Sequence, residues 1–245
     1  MSHRLTDPSP FPTLSEIETA AREGNGRGVR VAVIDSGVEA SHPRLAGATI
    51  TAQVAFEERY GIVEAFDDVT EIVSVRVIDA RSVSRTHLIC AGVREAMKRG
   101  YHILNCSFGC RGLAKFILPH KEWSDEAWLQ GIHVVAACSN TDNDEAEWPA
   151  HFAPVFGVDL ADTAEDEIFY RPEHLVSFSA KGENIEVAWL NGGIQRQTGT
   201  SFAAPKISAH IARILSVYPG IPPSMMYTMI SSIAKPWHSG LSSDW

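Results

Sequence analysis

Val29–Gly37 reads VRVAVIDSG. Val29 to Ile34 is a largely apolar, β-branched run, bounded by Gly28 on one side and the turn-forming Asp35-Ser36-Gly37 on the other. A strand with one wet face alternates apolar and polar residues. A near-continuous run of this sort fits a central parallel strand buried on both faces. The strand ends on a carboxylate in a turn. In open α/β sheets the carboxyl ends of strands are where ligands and chemistry collect.

The same pattern recurs along the chain. Ile72–Ile78 (IVSVRVI), Tyr101–Cys106 (YHILNC), Ile132–Ala137 (IHVVAA) and Val155–Leu160 read as further strands. Between them, Ser84–Arg99 is helical, with Ile89, Val93, Ala96 and Met97 on its apolar face, and Trp123–Leu129 is helical too. Shorter β-like pieces lie at Leu175–Ser179, Ile185–Trp189 and Ile194–Thr198. Ser201–Tyr218 reads as a long helix with Pro205 near its start, and Ser224–Ser232 as a final one. Upstream, Thr13-Leu14-Ser15-Glu16 has the form of a capping box ahead of Ile17, Ala20 and Ala21 at helical spacing. Gly24, Gly26 and Gly28 end that helix. Strand–helix alternation of this kind argues for an α/β fold with a mostly parallel central sheet flanked by helices. We expect an extended lead-in over 1–13, one domain over 14–236 and an exposed tail over 237–245.

The chain has 245 residues with a formal net charge of −9 and is 44% hydrophobic. That is enough to bury a substantial core without covalent staples. An acidic chain repels a phosphate backbone, so nucleic acid is not an expected partner. No run of about 18 apolar residues is present, so no membrane partner is expected. Cys90, Cys106, Cys110 and Cys138 form no CxxC pair, and no His sits at finger-like spacing from them. They read as reduced cysteines in or beside apolar runs. Together with an N-terminus that lacks an apolar signal core, this points to the cytoplasm.

Three polar groups stand at strand ends or turns: Asp35, Asn140 and Ser201. Read singly, an Asp after a strand is a turn former and a Ser before a helix is a cap. Read together, they cover three roles in hydrolysis by a serine nucleophile. A hydroxyl at a helix N-terminus sits in the positive end of the dipole. An Asn amide can donate to a tetrahedral oxyanion. A carboxylate can orient an imidazole base.

The wording around them is more specific. Val31–Val38 (VAVIDSGV) with Ser41-His42-Pro43 resembles the aspartate motif of the subtilisin-like serine proteases. Gly199–Pro205 (GTSFAAP) resembles that family's nucleophile motif almost letter for letter, and Val134–Asn140 (VVAACSN) with Trp148–Val155 (WPAHFAPV) resembles the oxyanion segment. Ser74–Ile78 (SVRVI) and Ile103–Gly109 (ILNCSFG) match the substrate-flanking strands. The resemblance implies a three-layer subtilisin-like α/β fold with Asp35, Asn140 and Ser201 in the catalytic places. It further implies that Ser107, Phe108, Gly109, Ala136, Ala137 and Cys138 flank the bound peptide and its main specificity pocket.

One family feature has no counterpart. The resemblance calls for a catalytic His opening a helix that reads HGTHVAG, between the aspartate motif and SVRVI. Arg85–Gly92 (RTHLICAG) echoes it, but that register puts Ser84 at the catalytic position and His87 at the second His. Ser84–Gly109 also follows SVRVI directly and runs into ILNCSFG, the spacing of the helix after the substrate-flanking strand. On this alignment Asp67-Asp68-Val69 leads straight to Thr70-Glu71-Ile72, and the His helix is excised. His151, His87 and His42 are the weak candidates for a substitute base. Loss of the base typically costs about 10⁶ in kcat.

The expectation is therefore a pseudoprotease or strongly impaired peptidase that binds peptide or protein. The alternative is an active serine endopeptidase whose base comes from a relocated His, the substrate or a partner chain. A third reading is a structural subunit, with a protein partner covering the place of the missing helix. An α/β-hydrolase fits poorly, since Gly199–Ala203 lacks the second Gly of a nucleophile elbow. A dinucleotide-binding domain fits poorly too, since no GxGxxG follows the first strand. No cofactor or catalytic metal is expected. Structural calcium, frequent in the resembled family, has a candidate place in the acidic run Asp142, Asn143, Asp144, Glu145 and Glu147, but nothing in the sequence supports it and the run reads rather as a solvated loop.

Overall fold

The computed structural model describes residues 11–46, 50–57, 61–63, 72–78, 84–141 and 145–238. Its strands begin with β1 (Val31–Asp35), β2 (Ile50–Glu57), β3 (Gly61–Val63), β4 (Ile72–Arg76) and β5 (Ile103–Cys106). They continue with β6 (Cys110–Arg111), β7 (His133–Ala137), β8 (Glu147–Trp148), β9 (Phe156–Ala161) and β10 (Ile168–Tyr170). The last are β11 (Phe178–Lys181), β12 (Ile185–Trp189), β13 (Gly193–Gln197) and β14 (Lys235–Pro236). The helices are α1 (Leu14–Glu23), α2 (Thr86–Lys98), α3 (Ala114–Leu129), α4 (Thr200–Val217) and α5 (Pro223–Ile233).

The main sheet runs β14-β10-β11-β9-β7-β5-β1-β4-β2-β3. All its pairings are parallel except β10 with β11 and β2 with β3. β1 lies inside the sheet, flanked by β4 and β5. β7 shows why the central runs are apolar throughout. Val134 and Ala136 pack in the core shared with α2 and α3, while Val135 and Ala137 pack in the core shared with α1, α4 and α5. Successive side chains of a strand point to opposite faces, so a sheet with helices on both sides needs an apolar residue at every position. The result is a three-layer α/β sandwich.

α1 starts at the expected cap. Thr13 accepts from the Glu16 N–H, and Glu16 accepts from the Thr13 N–H at 2.8 Å. It ends at Gly24, where a Cβ would overlap the Arg213 carbonyl of α4. Glycine is what lets the two helices approach so closely.

Two elements depart from the sequence reading. α3 starts at Ala114 rather than near Trp123, because Pro119 is carried inside the helix. Its carbonyl also accepts from the Cys90 thiol at 3.7 Å, which ties α3 to α2. β2 and β3 were not anticipated, although Ile50, Ala52, Val54 and Phe56 alternate with the period of a strand. They extend the sheet beyond β4. The segment Asp67–Glu71, on which the excised-helix reading rests, lies outside the described residues, as do Asp142, Asn143 and Asp144 of the acidic run. Part of the tail packs back. The Arg171 guanidinium lies over the Trp237 ring at 4.9 Å, and the Trp237 N–H donates to the Tyr170 carbonyl at 3.1 Å.

Candidate active site

Three neighbouring strands deliver their carboxyl ends to one edge of the sheet. β1 ends at Asp35, β5 leads into Ser107-Phe108-Gly109, and β7 leads into Cys138-Ser139-Asn140. The N-terminus of α4, carrying Ser201, meets the same edge. The join is made by Asn140. Its Oδ1 accepts from the Thr200 N–H at 2.8 Å and from the Thr200 hydroxyl at 3.1 Å. The same hydroxyl is 2.7 Å from the Cys138 carbonyl. A backbone N–H can only donate, so the atom facing α4 is the amide oxygen. The Asn140 oxygen, and not its NH₂, is thus the group bonded to α4. Thr200 is 1% exposed, so these bonds are buried. Ser201 itself is half-buried, and its hydroxyl makes no hydrogen bond to any described residue.

Asp35 is held from the other side. It accepts from the Ser36 N–H at 2.6 Å and from the hydroxyls of Ser36 and Ser107. Burial pushes its carboxyl above the ordinary range, and those hydrogen bonds pull it only part of the way back. Ser107 also bonds to the Asn105 amide at 3.1 Å, and Asn105 Oδ1 accepts from the Ser208 hydroxyl at 2.8 Å. Ser208 lies two turns along α4 from Ser201, on the same side of the helix. A chain of buried polar groups thus runs from α4 through β5 to the Asp35 carboxylate. This chain was not anticipated from sequence. Asn105 and Ser208 sit in apolar patterns that mark core positions, and nothing local signals that they meet.

The family model described as the subtilase family (Peptidase S8) matches residues 68–240. The chain belongs to the subtilase family. Subtilisin DY of Bacillus licheniformis is 25% identical over 94% of the chain and 92% of its own length. Thermitase of Thermoactinomyces vulgaris is 24% identical over 78% of the chain and 76% of its own. A crystal structure of a cold-adapted subtilisin-like serine proteinase superposes with a TM-score of 0.67 at 21% identity, covering 90% of this chain and 86% of that one. That last likeness speaks for the fold.

In this subtilase each candidate His is engaged elsewhere or lies apart. His42 is 3% exposed; its Nδ1 accepts from the Arg44 N–H at 3.1 Å and its Nε2 donates to the Gly193 carbonyl at 2.7 Å. It caps the turn after β1 and ties it to the tip of the β12–β13 hairpin. His151 places Nδ1 against the Glu147 backbone N–H and carbonyl, at 3.1 and 3.0 Å. His87 is exposed in the first turn of α2, lining a cleft between α2 and α3 with Cys90, Arg94 and Phe116. Neither Asp35 nor Ser201 has a hydrogen bond to an imidazole among the described residues.

The flanking segments are anchored as strand extensions. The Ser107 N–H donates to the Ile34 carbonyl at 3.1 Å and the Cys138 N–H to the Val158 carbonyl at 3.0 Å. Ala136, Ala137, Cys138 and Phe108 are buried, while Gly109 is exposed. β6 and β8 pair antiparallel just beyond, and bring Glu147 to Gly109. The sequence reading placed Glu147 only in an acidic run. Among the described residues no group of three His, Cys, Asp or Glu is arranged to hold a metal ion.

Proposed function

We propose that this subtilase binds an extended peptide at the strand ends that carry Asp35, Ser107–Gly109 and Ala136–Asn140, and that its hydrolytic step is lost or strongly impaired. The observation that carries this is the partner set of Asp35. Serine hydroxyls and a backbone N–H satisfy it, and the sequence holds no His between His42 and His87. That interval spans β2 to β4, where the family's catalytic His helix belongs. An unassisted serine hydroxyl is a weak nucleophile. The segments that would hold a peptide backbone are retained, and strand edges capture extended peptides through main-chain hydrogen bonds.

A second reading keeps the chemistry. Asn140 is tied to α4 through its amide oxygen and not its NH₂, which supports a reading in which that NH₂ serves as an oxyanion donor and residual activity uses a base supplied by a substrate His or a partner chain. Titration with a fluorophosphonate probe, alongside turnover of a peptide library, separates the two. The first reading expects no Ser201 labelling and no cleavage, with peptide binding retained. Turnover abolished by Ser201→Ala establishes the second instead.

A further inference from the structure

Asp159 stands in β9, a strand whose residues are all buried. Phe156, Val158 and Leu160 of that strand pack in the core shared with α4 and α5, so Asp159 points to the other face, the side of Cys138 and Val176. A carboxylate at such a position is costly unless it is paired. Arg171 pairs it, with Nη2 at 3.5 Å from Oδ2, and the same guanidinium donates to the Val176 carbonyl at 3.3 Å. The Trp237 ring lies 4.9 Å over that guanidinium, whose side chain is only 15% exposed. Trp237 packs against Ala161 and Phe169, and its N–H holds the Tyr170 carbonyl.

The other carboxylate oxygen faces the candidate site. Asp159 Oδ1 accepts from the Leu160 N–H at 2.7 Å and from the Cys138 thiol at 3.8 Å. The thiol also faces the Ser139 carbonyl at 3.4 Å. Cys138 opens the turn that carries Asn140, and its own carbonyl takes the Thr200 hydroxyl. Burial raises the Cys138 thiol, the charges of Asp159 and Glu147 add to that, and the Arg171 charge opposes it. The contacts thus run inward from the edge strand β14, past β10 and β9, to the end of β7.

We infer that Trp237, Arg171 and Asp159 are positioning residues of the peptide site, acting through Cys138 on the turn that carries Asn140. The inference rests on the peptide-binding reading and deepens it. A buried ion pair adds little net stability over an apolar pair, and its use here is to fix one arrangement. The Trp237 ring holds the guanidinium by cation–π attraction and keeps water from it. Without the ring, water competes for Arg171, and Asp159 becomes the stronger acceptor for the thiol. The S–H then leaves the Ser139 carbonyl for Asp159, and the turn is drawn toward β9.

The test reads the Cys138 S–H stretch by infrared difference spectroscopy, each protein against its own Cys138→Ala partner, well below the unfolding transition. Binding of a fluorescein-labelled hexapeptide library is read alongside by anisotropy. Trp237→Ala should move the band to lower frequency and weaken the tightest library peptide about threefold or more. Trp237→Phe, which keeps a ring face over the guanidinium, should restore both. Asp159→Asn leaves a neutral, weaker acceptor and should move the band up. A mere loss of stability moves no band while the protein stays folded. The inference is overturned by a band that does not fall in Trp237→Ala, by a Trp237→Phe no nearer wild type, or by a shifted band with unchanged peptide binding. An unmoved band in Asp159→Asn overturns it too, whether or not Trp237→Ala folds. Each of these leaves the peptide-binding reading standing. If no library peptide binds the wild type, that reading falls, and the bands alone decide whether the three residues position the turn.

Discussion

The Thr200 N–H donates to Asn140 Oδ1 at 2.8 Å, and this contact joins the end of β7 to the start of α4. It fixes Asn140 next to the residue that precedes Ser201. The Thr200 hydroxyl, with one proton to give, shares it between the Cys138 carbonyl at 2.7 Å and Asn140 Oδ1 at 3.1 Å. Thr200→Val keeps the shape and removes the shared hydroxyl bond. The expected loss is about 1–2 kcal/mol of stability, measured by urea unfolding. An unchanged midpoint would mean that water replaces the hydroxyl and that the join is loose.

Asp35 carries a pH signature. Burial raises its folded-state pKa above the unfolded value. The native state then holds its proton more tightly than the unfolded chain, so this group's contribution to stability falls as pH rises through the two values. Above both values the ionised, largely buried carboxylate is a liability. Asp35→Asn retains an acceptor for the Ser36 N–H and the Ser107 hydroxyl. It should be more stable than wild type at pH 7, with the advantage shrinking as pH drops toward the unfolded carboxylate value. Paired denaturation curves across that range check the sign.

Ser208 supports Asp35 at second hand. Ser208→Ala leaves the Asn105 Oδ1 acceptor without its donor at a position 1% exposed. A buried unsatisfied acceptor costs about 1–3 kcal/mol. Unfolding of Ser208→Ala should show that loss. The double variant Ser208→Ala with Asn105→Ala should show coupling rather than simple addition.

His120 gives the opposite pH slope. Its ring is fully buried between Phe108 and Trp123, both nitrogens lack a partner among the described residues, and burial pulls it down to about 4. The unfolded chain takes up its proton near pH 6.5. Stability is therefore lost as pH falls from about 6.5 toward 4, through this group and through His133, which is pulled down to about 4 as well. His120→Phe removes two stranded polar atoms. It should flatten acid unfolding over that interval and hold or raise stability at pH 7. An unaltered acid limb would show that water or another group satisfies the ring.

Much of the fold was legible because central parallel strands and amphipathic helices write their burial into local pattern. β1, β7 and β12, and the helices α2, α4 and α5, fall within a few residues of where the apolar runs place them. The start of α3 was hidden by Pro119, which breaks a helix in isolation and is carried here by packing against α2. β2 alternates apolar and polar residues as a strand does, whereas β3 is too short to carry a period. The two-residue ladder of β6 with β8 has no local signal at all. Ser201, Asp35 and Asn140 were legible because their turns hold distinctive neighbours.

The amino-acid sequence alone determined the inventory: a parallel α/β chain, a Ser, an Asp and an Asn at strand ends, and a stretch from His42 to His87 without histidine. These follow from residue type and local periodicity, which are properties of contiguous chain. Tertiary structure alone decided what each polar group does. It gave Asp35 serine partners, turned the Asn140 oxygen toward Thr200, spent both nitrogens of His42 on a turn and a hairpin, and set Glu147 on Gly109. Asp35 with Ser107, Asn140 with Thr200, His42 with Gly193 and Glu147 with Gly109 are each tens of positions apart or more. A hydrogen bond or a charge contact depends on distance and angle in space, and these arise only when the sheet brings its strand ends to one edge.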